Sequence, residues 1–267
     1  MTLVIAWLSV DSRKPCSAYL LTDSRFTWAN NTKYDFGQKA FAIKSFPDIL
    51  AYCGDVLFPL NSLVKLVETA DNGLLFSPNA TSDMRNGILC DHLNRLCSSY
   101  PIDQSTSGTQ ILHFSRDIDS SFSFYSYSAK QNNRWTCKKE TLSVDKSNLV
   151  HAVGAGAEEF KDMYTKYKAG DLANTSRNIY QCFVSTMRAF KTDSCGGAPQ
   201  LVGLYRGKNY GMNFGAIYEG KRYFLGSELG SSSGINCVRW YNENFEICDG
   251  DSMMRKDNAM RQPNPNI

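Results

Sequence analysis

The chain has 267 residues, 42% of them hydrophobic, with 29 basic and 26 acidic side chains for a net charge of +3. That length is enough for one large core, and we read residues 1–267 as a single domain. The charges are scattered without long runs, so the patch needed to neutralise a nucleic-acid backbone is missing.

Residues 3 to 8 (LVIAWL) and 17 to 23 (SAYLLTD) are apolar, β-favouring runs, and Asp11 to Pro15 between them reads as a hairpin loop. The first run is too short to span a membrane and lacks the basic start and cleavage site of a signal peptide. The second run ends on Asp23. A carboxylate half buried at a strand end needs a cationic or hydrogen-bonding partner, because an unpaired buried charge costs several kcal/mol.

A second strand pair is predicted at 39 to 44 and 49 to 53. Gly54 and Asp55 then open a helix with Leu60, Leu63, Val64 and Val67 at helical spacing. Thr81, Ser82 and Asp83 cap a second helix, on which Leu89, Leu93 and Leu96 share a face. Strands follow at 109 to 115, 121 to 128 and 134 to 142. In the middle strand the alternation slips at Phe124 and Tyr125, which signals a bulge or a change of burial.

After the glycine turn of HAVGAG (151 to 156), helical period returns at 157 to 168 and 175 to 190. Strands close the chain at 200 to 206, 210 to 218 and 222 to 226, with a β-like stretch at 237 to 247. The last dozen residues, rich in Asn and Pro, are expected to fray. Strands and helix pairs in this order imply an α+β fold with two antiparallel sheets face to face and helices outside, a four-layer αββα sandwich.

The nine cysteines form no CxxC pair and the three histidines no cluster, which reads as reduced thiols in a cytoplasmic protein with no metal or other cofactor. Asn30, Asn79 and Asn174 open N-x-S/T triplets, chance matches in a protein that is not secreted.

Thr2 to Ala6, Asp23-Ser24-Arg25, Lys39 to Ile43 and Tyr52-Cys53-Gly54-Asp55 together resemble the proteasome β subunits and HslV, of the N-terminal nucleophile (Ntn) hydrolase superfamily. The resemblance continues through Gly154-Ala155-Gly156 and Asp193 to Gly197, covering residues 2–206 and leaving 207–267 as an extension. Its most specific element is the sixteen-residue step from Asp23 to Lys39.

The resemblance implies a threonine peptidase that cleaves peptide bonds through an acyl-enzyme on Thr2, exposed by removal of Met1. A free α-amine with a pKa near 8 can take the hydroxyl proton, so one residue supplies nucleophile and base. Lys39 would lower the pKa of that hydroxyl and Asp23 would hold the ammonium. The Gly54 N–H, or that of Cys53, would stabilise the oxyanion. Asp193 falls at or near a supporting aspartate, whereas the family's relay serine falls on Ala155.

Phe26, Tyr52 and Val56 match positions bordering the first specificity pocket, with the core as an equal alternative, and Arg25 reads as structural. The expected partners are peptide or unfolded protein, further copies of the chain in a ring or helical assembly, and an ATP-dependent unfoldase. A small-amide acylase and a catalytically silent ring or scaffold subunit are the alternatives.

Overall fold

The apolar run at the start of the chain is buried from Leu3 to Leu8 without a break. Such a run marks a strand covered on both faces, since a strand with one wet face would alternate. It forms β1 (Leu3–Asp11), which turns directly into β2 (Lys14–Thr22). The expected five-residue loop shrinks to a tight turn in which Asp11 accepts the Arg13 N–H at 2.7 Å and Lys14 takes a positive φ of 82°.

The computed structural model describes residues 2–101, 108–129, 134–190 and 193–259. A short ribbon of β3 (Phe26–Thr27) and β4 (Lys33–Tyr34) leads to β5 (Ala40–Ile43) and β6 (Asp48–Cys53). Helices α1 (Leu57–Asp71) and α2 (Ser82–Ser98) precede β7 (Gln110–Arg116), β8 (Phe122–Ala129), β9 (Trp135–Glu140) and β10 (Asn148–Gly154). Helices α3 (Ala157–Tyr167) and α4 (Ser176–Ala189) precede β11 (Gln200–Tyr205), β12 (Met212–Tyr218), β13 (Lys221–Phe224) and β14 (Ser227–Leu229). The small strands β15 (Trp240–Tyr241) and β16 (Ile247–Cys248) complete an α+β fold.

One sheet runs β10-β1-β2-β11-β12-β13-β14, with β15 joined to β12 and β16 to β15, and a second runs β5-β6-β7-β8-β9. The expectation of two antiparallel sheets needs correction. The β12–β15 pair is parallel, because the chain crosses over through residues 230–239 before it pairs again, and β3–β4 stands as a separate ribbon.

Alternate residues of β1 explain the packing. Val4, Ala6 and Leu8 share a buried cluster with Ala42, Ile49, Ala51, Leu112 and Phe114 of the second sheet. Leu3, Ile5 and Trp7 pack instead with Phe160 of α3 and with Ile179 and Phe183 of α4. The second sheet turns Phe41, Leu50 and Tyr125 toward Phe58, Leu63 and Leu66 of α1 and toward Leu89 and Leu93 of α2.

Two readings of periodicity resolve differently from each other. On α1 the core stripe is Leu63, Leu66 and Ala70, while Val64 is 47% exposed, so the stripe expected through Val64 is displaced by about one residue. On β8 the register stays regular through Phe124 and Tyr125. Phe124 faces the first sheet and Tyr125 the α1–α2 layer, so the slip is a change of burial without a bulge.

Beneath α2, the buried Asp48 pairs with Arg85 at 2.7 Å and with His113 at 2.8 Å, tying the helix to the second sheet. Near the C-terminus, Cys248 bridges Arg255 and the Lys256 N–H reaches the Ile247 carbonyl. Of the segment expected to fray, residues 260–267 lie outside the described residues, as does Met1. No helix of the described residues is long and apolar enough to cross a membrane.

Candidate active site

Asp23 follows the last residue of β2 and is fully buried, so all of its charge must be met by donors. Its Oδ1 accepts the Leu3 N–H at 3.0 Å and the Lys39 ammonium at 3.0 Å. Its Oδ2 accepts the Arg25 N–H at 3.2 Å and the Gly196 N–H at 3.0 Å. Two donors on each oxygen offset the desolvation that makes most buried ion pairs costly.

Lys39, also fully buried, precedes β5. Its ammonium donates a second hydrogen bond to the Arg25 carbonyl at 2.6 Å and lies 5.6 Å from the centre of the Phe26 ring. Its backbone is held as well, the N–H by Gln200 Oε1 at 3.0 Å and the carbonyl by the Tyr52 N–H at 3.1 Å. Burial draws the Lys39 pKa below its usual 10.5, and the Asp23 carboxylate opposes that fall.

Thr2, only 2% exposed, directly precedes the Leu3 amide that binds Asp23. One carboxylate oxygen of Asp23 thus binds both the Lys39 ammonium and the amide that links Thr2 to Leu3. Gly54 ends the β6 segment that Tyr52 anchors to Lys39. Its φ is +104°, and a Cβ there would come within 2.6 Å of Thr109 Cα, so the position requires glycine. Asp55, one residue ahead of the N-cap Val56, accepts the Phe58 N–H at 3.1 Å, and the N-terminus of α1 lies beside this turn.

Asp193 is not gathered with these residues. Its side chain is 83% exposed and pairs with Lys33 at 2.8 Å, while only its carbonyl faces inward, toward Arg25. Ala155 lies exposed in the turn between β10 and α3 and brings no hydroxyl. Tyr52 and Phe26 are buried, the first within the α1–α2 core and the second under Lys39.

Three residues of the network were not singled out in the sequence: Asp35, Gln200 and, for its amide, Gly196. Arg25 finds its counter-ion in Asp35, with Nε to Oδ1 at 2.6 Å and Nη2 to Oδ2 at 2.9 Å. That guanidinium holds the Asp35 carboxyl below the usual range. The available signal was an unpaired arginine ten residues ahead of an aspartate across the turn of β3–β4. Gln200 Nε2 donates to the Gly37 carbonyl at 2.6 Å, which closes the segment before Lys39.

Two cysteines border the site. Burial pushes the Cys53 thiol up to about 11 and the Cys195 thiol up to about 12, so neither is a thiolate at neutral pH. Among the described residues no three His, Cys, Asp or Glu side chains converge as a metal site. Arg25 and Asp35 line a cleft of about 520 Å³ together with Phe36, Gly196, Tyr218 and Tyr223.

No family model matches the chain, and no curated protein matches it. Solved structures do. An Anbu (Gly-1) mutant from Hyphomicrobium sp. strain MC1 aligns with a TM-score of 0.55 at 14% identity, over 77% of this chain and 81% of that one. Anbu from Yersinia bercovieri, described as an ancestral β-subunit, aligns with a TM-score of 0.56 at 9% identity, over 79% and 86%. The assignment to the proteasome β and HslV family expected from the sequence is thereby corrected: these neighbours are Anbu subunits, and at such identity the likeness shows a shared fold alone.

Proposed function

We propose that the chain is an Anbu-like N-terminal threonine hydrolase that cleaves peptide bonds through an acyl-enzyme on Thr2. The observation that carries the reading is the buried Asp23–Lys39 pair at 3.0 Å, bound through Asp23 to the amide that follows Thr2. A fully buried ion pair whose carboxylate also binds the amide following a threonine, one residue ahead of β1, suits N-terminal nucleophile chemistry. The likeness of fold to Anbu supports it, and we read the α+β fold, with β1 buried on both faces, as the αββα order of that chemistry.

In this mechanism removal of Met1 frees the Thr2 α-amine, which takes the proton of its own hydroxyl directly or through a water. The hydroxyl oxygen attacks the amide carbon while the Lys39 charge stabilises the developing alkoxide. The Gly54 N–H, at the turn into α1, stabilises the oxyanion. The amine then returns the proton to the leaving nitrogen, and water releases the acyl group by the same route in reverse. Asp193 contributes through its backbone, as an acceptor for Arg25.

We extend the proposal to a single domain working in the cytoplasm as a homo-oligomer that admits peptide or unfolded protein, fed by an ATP-dependent unfoldase. The nine unpaired cysteines fit a reducing compartment. A second reading, a catalytically silent ring or scaffold subunit, is favoured by one observation, the missing hydroxyl at Ala155.

Mass analysis of the purified N-terminus, labelling with an electrophile directed at N-terminal threonine, and turnover of peptide amides by wild type and Thr2→Ala test the reading. The expected result is a chain starting at Thr2, an adduct on it, and hydrolysis lost in the variant. A retained Met1, or undiminished hydrolysis by Thr2→Ala, overturns it.

A further inference from the structure

We infer that Asp35, acting through Arg25, is a positioning residue that holds the loop 193–197 so that the Gly196 N–H stays on Asp23. The inference rests on the reading of Asp23 and Lys39 as the support of a Thr2 nucleophile.

The Arg25 guanidinium has two sets of bonds. On one side it forms the two-point ion pair with Asp35. On the other its Nη1 reaches the carbonyls of Asp193 at 3.3 Å and Cys195 at 3.4 Å. A planar fork bonded at both edges fixes direction as well as distance, which a lysine at the same place could not do.

The loop is clamped at a second point. Ser24 Oγ donates to the Asp35 carbonyl at 2.5 Å and accepts the Ala198 N–H at 2.7 Å. Between the clamps only glycines fit. A Cβ on Gly196 would lie 2.6 Å from Arg25 Cζ, and one on Gly197, whose φ is +73°, would lie 2.3 Å from Ser24 Oγ. The product of this close approach is the bond from Gly196 N–H to Asp23 Oδ2 at 3.0 Å, from a residue 173 positions away in the chain.

Asp23 is thereby oriented from two sides, by Leu3 and Lys39 on one oxygen and by Arg25 and Gly196 on the other. Loss of the Gly196 donor leaves Oδ2 with one partner and frees the carboxylate to turn away from Lys39. Asp35 makes no hydrogen bond to Thr2 or Lys39 and meets the Lys39 charge only through space, behind its contacts with Arg25, so its hold on Asp23 passes through Arg25 and the loop.

The test measures amide hydrogen exchange and steady-state kinetics on the same full-length variants. In Asp35→Ala, exchange at Gly196 is expected to accelerate at least about ten-fold, the scale of a lost charge-assisted bond, while Leu21 in β2 is unchanged. With a peptide amide substrate, kcat is expected to fall about ten-fold with KM within two-fold, and Asp35→Glu to recover most of both effects. Asp35→Asn keeps the side chain's shape and carries the same measurements should Asp35→Ala fail to fold.

Unchanged exchange at Gly196 overturns the inference, and faster exchange with an unaltered kcat overturns the positioning role. Absence of Thr2-dependent turnover in the wild type refutes the proposed function instead. The exchange data then still decide whether the Asp35–Arg25 pair holds the loop on Asp23.

Discussion

Gly154 and Thr2 meet backbone to backbone, where β10 closes on the start of β1: a Cβ built on Gly154 would lie 1.9 Å from the Thr2 carbonyl oxygen. With φ at +95°, Gly154 also occupies a conformation that other residues rarely adopt. Gly154→Ala is expected to cost about 2 to 4 kcal/mol in denaturant unfolding, the sum of overpacking and backbone strain. Gly73, with φ at +73° and no atom within 4 Å of a built Cβ, supplies the control, and Gly73→Ala is expected to cost about 1 kcal/mol.

Breaking the Asp23–Lys39 pair from either side leaves a buried charge without its counter-ion. Lys39→Met or Asp23→Asn alone is expected to destabilise by about 3 to 5 kcal/mol. The double variant leaves no charge behind and is expected to lose less than the sum of the singles, by about 1 to 3 kcal/mol, in a double-mutant cycle. Additive losses would show that the two charges do not interact.

Acid separates the role of Asp35. Its folded-state pKa is held below the ordinary 3.8, first by hydrogen bonds from Arg25. A depressed carboxyl contributes stability that is present above its unfolded value and is lost as pH falls through the folded one. Wild type is therefore expected to be more stable than Asp35→Asn at pH 6, with the gap closing below pH 3.8. Because the carboxylate is 38% exposed, solvent screening keeps that gap to about 1 kcal/mol or less.

Cysteine reactivity distinguishes a threonine nucleophile from a thiol. Cys237 is exposed, whereas Cys53 and Cys195 are buried, with thiols pushed up to about 11 and about 12. Iodoacetamide at pH 7.5 is expected to modify Cys237 first and to spare Cys53 and Cys195 in the folded protein, as peptide mapping would show. Hydrolysis abolished by modification confined to Cys195 would count against Thr2.

The order of the longer strands and the four helices and the cap on Thr81 were legible from local pattern, whereas the β3–β4 ribbon and β10 were not, and the Asp23–Lys39 step was legible through the family resemblance. Continuous apolar runs announced strands covered on both faces, and the stranded carboxylate at the end of β2 announced a nearby cation. What periodicity leaves open is which of two adjacent stripes a helix turns inward. On α1 it admits Val64 as readily as Leu66, and packing on the second sheet buries Leu66 and leaves Val64 exposed.

Asp35 and Gly196 were hidden for a different reason. An arginine ten residues ahead of an aspartate signals a pair only once the ribbon between them is foreseen, and a glycine amide gives no signal until the fold brings it to an acceptor. The sequence by itself determined that Asp23 must be neutralised, and the family resemblance pointed to Lys39 as the cation. Only the tertiary structure decided that its second oxygen belongs to Arg25 and Gly196, because those bonds depend on a loop from the far end of the chain being clamped against β2 by Ser24 and Asp35.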